Sequence, residues 1–305
     1  MKKLRLATRG SDLATTQSGV VAAAVEDATG IPTELVIVKT IGDQRLDVHL
    51  AQVGSVGLFT KEVQDAVLDG RADYAVHSLK DLPAEQTAGL CCAAVPQRED
   101  TRDWLLIQPE FHADRGEGLL PLISGARVGT SAARRTAFLE AMAPDCPAVL
   151  LRGNVPTRVN KLGNGDYDAI LLAGAGLRRL ALDLSAFKVV KLDPMMWPGA
   201  PGQGALAIEC RADDEETRAL IGKLHHPATA ATVEVERNLL RALGGGCGLP
   251  LGASAFATED GFRLVAALGP TEELPGALRR ADVAMGEAAA TSAAALEALL
   301  TAEVH

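Results

Sequence analysis

Apolar positions at Leu13, Val20, Val21, Ala24, Val25 and Ala28 recur at intervals of three and four, the period of a helix with one buried face. Ser11 stands just before that run, where an N-cap is expected. Short apolar runs at 4–8 and 34–39 flank it and predict strands, so the chain opens with the alternation of a βαβ sheet. A helix over 59–68 ends at Gly70, and strands follow at Tyr74–Ser78 and 90–95. The stretch 40–58, polar and rich in glycine, is longer than an ordinary connection and reads as a lid or an unordered loop.

After 96–103, which is polar and without apolar period, a second alternating unit begins. Its strands are predicted at 104–107, 127–129, 148–151, Ala169–Ala173 and 189–192, with helices over 131–143, 155–162 and 176–180. Residues 193–204 are dense in proline and glycine and cannot be regular structure. The two irregular stretches read as crossings between units, the second as a hinge. A strand at 205–210, helices over 214–224 and 228–243, the run Gly244-Gly245-Gly246, strands at 253–257 and 263–268 and an Ala-rich helix over 287–300 complete a smaller α/β unit.

A length of 305 residues exceeds one ordinary hydrophobic core and suggests two or three domains. The apolar fraction of 48% and charged fraction of 23% are those of a globular chain. Asp and Glu total 39 against 30 Lys and Arg, and aromatics make up 3%, a balance that argues against a nucleic-acid surface. The amino terminus reaches Arg9 before any apolar region long enough for a signal peptide, so the expectation is a cytoplasmic protein with no membrane partner. Five cysteines without CxxC spacing are expected to remain thiols there.

Against a net charge of -9, cations gather where predicted strands turn into helices. The turns are Thr8-Arg9-Gly10-Ser11, His77-Ser78-Leu79-Lys80-Asp81, Gly129-Thr130-Ser131-Ala132-Ala133-Arg134-Arg135 and Leu151-Arg152-Gly153-Asn154-Val155-Pro156-Thr157-Arg158. Such turns line the ligand crevice of an open α/β sheet, and each helix begins with unpaired N–H groups and a partial positive charge. A single Arg-bearing turn is commonly just a solvated charge; four together point to an anionic small molecule.

Within these turns Asp81 is the one carboxylate, followed by Pro83, which fixes the backbone beyond it. Nearby cations would keep it ionised and able to stabilise a developing positive charge or exchange a proton; a plain salt bridge is the alternative reading. Cys247 lies among four glycines, where a thiol has room for covalent chemistry. Cys91, Cys92 and Cys210 fall in or at the end of apolar strands and read as small buried hydrophobes, and Cys146 as a loop residue without special role. No GxxxxGK[ST], HExxH, GxSxG or strand-following GxGxxG occurs. His225-His226 lacks a partner at ligand spacing and reads as a surface pair rather than a metal site.

Taken in order, Ala7-Thr8-Arg9-Gly10-Ser11-Asp12-Leu13-Ala14 with Gln17, Gly57-Leu58-Phe59-Thr60-Lys61-Glu62, Ala75-Val76-His77-Ser78-Leu79-Lys80-Asp81-Leu82-Pro83, Val128-Gly129-Thr130-Ser131 with Arg134-Arg135, Leu151 to Arg158, Gly202-Gln203-Gly204-Ala205 and Gly245-Gly246-Cys247 resemble the porphobilinogen deaminase family over essentially the whole length. The resemblance implies an enzyme that joins four porphobilinogen molecules head to tail, releases ammonia at each step and frees a linear hydroxymethylbilane. It implies a dipyrromethane cofactor held as a thioether by Cys247, with Asp81 as the catalytic carboxylate that stabilises a cationic azafulvene electrophile. Each pyrrole carries an acetate and a propionate, so Arg9, Lys80, Arg134, Arg135, Arg152, Arg158 and Arg179 would bind carboxylates, since planar guanidinium groups suit them. Ser11, Ser78, Thr130 and Ser131 would add hydrogen bonds, with Gln17, Gln203 and, on the lid side, Lys61 as further candidates; no metal is implied.

Three α/β domains follow from the resemblance: 1–97 with 198–216, an inserted lobe at 98–193, and 217–305 carrying the cysteine loop. The first two are expected to resemble the lobes of periplasmic binding proteins around a cleft, in a monomer. The chain departs from the family pattern at Val56, where lysine is common, at Ala132 in place of serine, and at Gly163 in place of an acid. Two rivals remain at this stage. One is a two-lobed binding protein without catalysis, which needs neither Asp81 nor a free Cys247; the other is a transferase in which Cys247 cycles as a free nucleophile.

Overall fold

The computed structural model describes residues 3–39, 60–113, 116, 120–246 and 248–302. In chain order its strands are β1 (Leu4–Arg9), β2 (Thr33–Val38), β3 (Tyr74–Ser78), β4 (Leu90–Ala94), β5 (Asp103–Ile107), β6 (Val128–Thr130), β7 (Ala148–Leu150), β8 (Ala169–Ala173), β9 (Lys188–Lys191), β10 (Leu206–Arg211), β11 (Leu251–Thr258), β12 (Gly261–Leu268) and β13 (Arg279–Met285). The α-helices are α1 (Asp12–Thr29), α2 (Lys61–Leu68), α3 (Ala133–Met142), α4 (Val155–Gly163), α5 (Gly174–Arg179), α6 (Glu215–Gly222), α7 (Pro227–Ala242) and α8 (Ala288–Thr301). The protein is mixed α/β.

Two compact units divide the chain. One contains residues 1–99, 204–233 and 245–247, the other residues 100–203, 234–244 and 248–305. In the first, a five-stranded sheet runs β2-β1-β3-β10-β4. β1 is parallel to β2 and β3, whereas β10, from late in the chain, inserts antiparallel between β3 and β4. Leu4, Leu6, Tyr74, Val76 and Ile208 pack on Val21 and Val25 of α1 and Ile221 of α6. On another face Ala7, Val38 and Ala75 meet Val63, Ala66 and Val67 of α2. Alternating side chains of one strand thus serve two helical layers, as a sheet covered on both faces requires. α1 stops at Gly30, whose φ of 70° is left-handed and returns its N–H to Glu26 O.

In the second unit the order is β7-β6-β8-β5-β9, with β6 parallel to β7 and β8, and β5 antiparallel to β8 and β9. A separate antiparallel sheet, β11-β12-β13, belongs to the same unit. Phe138 and Trp197 meet edge to face, with centroids 5.3 Å apart, in a core that includes Leu105, Leu139 and Leu171. Gly174 begins α5 hard against the Trp104 indole, where a Cβ would collide with the ring.

Several sequence expectations change. Ser11 occupies the N-cap of α1, but its side chain makes no cap hydrogen bond. α3 starts at Ala133, two residues later than expected, with Ala132 at a cap position it cannot serve because it carries no acceptor. β13 has no counterpart in the sequence pattern, since most of its residues are partly or fully exposed and give no apolar run. Cys92 is exposed rather than buried because period-two alternation on edge strand β4 turns it away from the core. Cys146 lies in a loop but is buried, its thiol directed at Ile123 O, 3.4 Å away. The lid expected at 40–58 lies outside the described residues.

Candidate functional site

Two clusters of the expected site residues form, one in each unit. In the first, β1 and β3 are parallel neighbours, so Arg9–Ser11 and Ser78–Asp81 leave the same edge of the sheet, where open α/β sheets bind ligands. Ser78 is followed at once by a 3-10 turn, Leu79–Asp81. Leu79 N–H donates to Ala205 O at 3.0 Å, and buried Leu79 and Leu82 pack with Val95, Ala205, Ala207 and Val233. This apolar grip on both ends of the turn leaves Lys80 half-buried and Asp81 exposed. Gln17, buried in α1, donates through Nε2 to Ser78 Oγ at 3.1 Å. Lys61, exposed, opens α2.

Behind this edge lies a buried polar chain that sequence reasoning missed. Glu209 Oε2 on β10 lies 3.2 Å from His77 Nε2 and accepts from Gln64 Nε2 at 2.8 Å, while Thr87 Oγ1 donates to Gln64 Oε1. Its members come from β3, β10, α2 and a loop, so no local spacing announces it. Its hydrogen bonds satisfy Gln64 and Glu209, which would otherwise be costly to bury, while His77 Nε2, on the strand that ends in the Asp81 turn, lies close to Glu209 without a hydrogen-bond partner among the described residues.

In the second unit, the parallel strands β6, β7 and β8 end at Thr130, Leu150 and Ala173. Beyond those ends stand Thr130 and Ser131, Arg152 to Arg158, and α5, whose last turn carries Arg179. Thr130 Oγ1 accepts from Ala132 N at 3.3 Å, and Ser131 is exposed. Asn154 caps α4 by accepting from Thr157 N at 2.9 Å. Arg158, half-buried, donates through Nε to Gly153 O at 2.7 Å.

Arg134 and Arg135 are buried rather than open to the surface. Both donate to Asp103, through Arg134 Nη2 at 2.7 Å and Arg135 Nη2 at 2.8 Å. Trp197 Nε1 and Gln203 Nε2 donate to the same carboxylate at 2.8 and 2.9 Å. Burial alone would raise the Asp103 carboxyl, but the charges of Arg134 and Arg135, with these hydrogen bonds, hold it well below the usual carboxylate range. Burial, and then the charge of Arg135, push the Arg158 guanidinium down to about 10; it remains protonated at neutral pH. Arg135 Nε is buried and has no hydrogen-bond partner among the described residues.

Cys247 lies outside the described residues, as do Val56 and residues 57–59 of the lid-side motif. Among the described residues no group of three or more His, Cys, Asp or Glu side chains could hold a metal ion, and His226 accepts from Thr229 N as a cap to α7. No described helix is long and apolar enough to cross a membrane.

Comparison with known proteins bears on both clusters. Residues 4–219 match the family model for the porphobilinogen deaminase dipyrromethane cofactor binding domain, and residues 230–300 the model for the porphobilinogen deaminase C-terminal domain. The chain is 47% identical over 262 residues to a porphobilinogen deaminase of Syntrophobacter fumaroxidans, covering 86% of this chain and 82% of the relative. It is 45% identical over 280 residues to porphobilinogen deaminase 1 of Streptomyces coelicolor, covering 89% and 85%. Among solved structures, an ancestral cationic amino acid solute binding protein aligns at 12% identity with a TM-score of 0.46, over 79% of this chain and 91% of that one.

Proposed function

The chain belongs to the porphobilinogen deaminase family, and from that premise we propose which of its residues carry the reaction. The activity is that of a hydroxymethylbilane synthase, a transferase that polymerises porphobilinogen with loss of ammonia, and its cofactor is dipyrromethane.

The observation that carries the residue assignment is the surplus of buried cation in the second unit. Buried Arg134 and Arg135 share the one carboxylate of Asp103, half-buried Arg158 lies close enough to feel the charge of Arg135, and Arg135 Nε has no hydrogen-bond partner among the described residues. Buried charge in excess of its partners is costly unless a ligand balances it, and a chain of pyrroles bearing acetates and propionates supplies that balance. The residues therefore fit the cofactor. When bound through Cys247, dipyrromethane would supply the nucleophilic pyrrole carbon to which the first unit is joined and from which the chain grows.

The chain's own groups then divide the work. Arg135, Arg158, Arg152 and Arg179, with Thr130 and Ser131, bind carboxylates in the second unit, and Arg134 and Gln203 hold that set in place. Arg9, Ser11 and Lys80 bind them in the first, where Gln17 and Ser78 brace the turn; Lys61, exposed at the start of α2, is a further binding candidate. Asp81, exposed at the end of that turn, accepts hydrogen bonds from pyrrole N–H as a carboxylate, offsets the positive charge that develops as the substrate's ammonium group leaves as ammonia, and can take up the proton released when the next carbon–carbon bond forms. The domains proposed are 1–97 with 198–216, 98–193 and 217–305, in a cytoplasmic monomer whose net charge of -9 disfavours nucleic acid.

The test supplies porphobilinogen and measures ammonia and bilane together. Four ammonia per bilane are expected from the wild type, with Arg158→Gln raising KM. Substrate consumption without bilane would contradict the assignment.

A further inference from the structure

We infer that Asp103 is a positioning residue for the reaction: it sets the plane of the Arg135 guanidinium so that Nε faces the ligand's carboxylate. The inference rests on the reading that Arg135 binds that carboxylate.

Asp103 has no capacity left for a ligand. Oδ2 accepts from Arg134 Nη2 and Trp197 Nε1, and Oδ1 accepts from Arg135 Nη2 and Gln203 Nε2. A fully buried carboxylate with four donors neither binds substrate nor exchanges protons with it; it orients its donors. Arg135 is held twice on its distal side, by Asp103 at 2.8 Å and by Leu171 O, which accepts from Nη1 at 3.0 Å. A guanidinium is rigid and planar, so two fixed nitrogens determine the direction of the third. That third nitrogen, Nε, is the buried donor without a partner among the described residues.

The other two partners of Asp103 come from the Pro- and Gly-rich stretch 193–204. Trp197 is packed edge to face on Phe138 of α3, the helix that bears both arginines. Gln203 Nε2 also donates to Thr101 O at 2.8 Å, and the second unit ends at this residue before the chain passes to the first. Asp103 thus ties α3 to both ends of the inserted segment. Without its charge, Arg134 and Arg135 would be adjacent buried cations that repel, and Arg135 would keep only its bond to Leu171 O, which alone does not fix its plane.

The test compares Asp103→Asn, Trp197→Phe and Arg135→Gln by steady-state kinetics on cofactor-loaded enzyme, with loading confirmed by intact mass. Asp103→Asn is expected to raise KM for porphobilinogen about tenfold or more, the scale of losing a charge-assisted hydrogen bond, with kcat within about threefold. Trp197→Phe keeps the packing and removes one donor, so it should raise KM about two- to fivefold while folding normally, and it carries the test if Asp103→Asn does not fold or load. Combined with Arg135→Gln, either change should be markedly less than additive. A purely structural Asp103 would lower the melting temperature and the active fraction but leave KM unchanged; that result in the folded variants overturns the inference. If Arg135→Gln itself leaves KM unchanged, the underlying reading fails instead.

Discussion

Gln17 of α1 donates through Nε2 to Ser78 Oγ at 3.1 Å, joining the first helix to the strand that runs into the Lys80–Asp81 turn. A neutral buried hydrogen bond contributes about 0.5–1.5 kcal/mol. Gln17→Ala should cost about that much in urea unfolding and, by loosening the turn, lower kcat/KM roughly two- to tenfold. A stability loss with unchanged kcat/KM would separate Gln17 from the site.

Asp81 is exposed at the end of the turn. Asp81→Asn should therefore leave unfolding free energy within about 0.5 kcal/mol of wild type, while kcat falls at least about a hundredfold, the lower range of proton-transfer catalysis. Stopped assays of bilane formation read the second effect; near-normal turnover would remove Asp81 from the mechanism.

The pH dependence of stability has a definite sign. Asp103 is held below the usual carboxylate range in the fold, so its contribution is present above the unfolded-state value of about 3.9 and is lost as pH falls below it. Asp168, raised by burial but lowered more by hydrogen bonds and charge from Arg127, adds in the same direction. Urea midpoints should hold between pH 8 and about 6 and decline below about 5, and Asp103→Asn, if folded, should decline less steeply. An acid limb unchanged in that variant would contradict the assignment.

Much of this architecture is readable in the sequence because it follows from local period. β3 and β8 fall where alternating or continuous apolar runs predict them, and Gly30, Gly70 and Asn154 mark helix ends by local chemistry. Asp103 was not readable as a site residue. It sits at the end of a polar run, and its partners lie 31, 32, 94 and 100 residues away. The burial of Arg134 and Arg135 was hidden for the same reason, since a basic turn looks identical in sequence whether its cations face solvent or a distant carboxylate. The insertion of β10 between β3 and β4 is likewise a long-range event that no local pattern records.

The thiols differ in reactivity for physical reasons. Burial, with Cys91 3.6 Å away across the strand pair, pushes the Cys210 thiol up to about 12, so it stays protonated at pH 8. Cys92 is exposed and Cys146 buried. Iodoacetamide at pH 8 should alkylate Cys92 first and leave Cys210 and Cys146 until the protein unfolds; early alkylation of Cys210, located by peptide mapping, would contradict this order.

The most direct test of the central claim is the intact mass of the purified protein, followed by mapping of the peptide that contains Cys247. An excess equal to two linked pyrrole units on that peptide, absent in Cys247→Ser, is the result expected. An unmodified Cys247 that stays unmodified after incubation with porphobilinogen, or a loaded thioether at another cysteine, would contradict it.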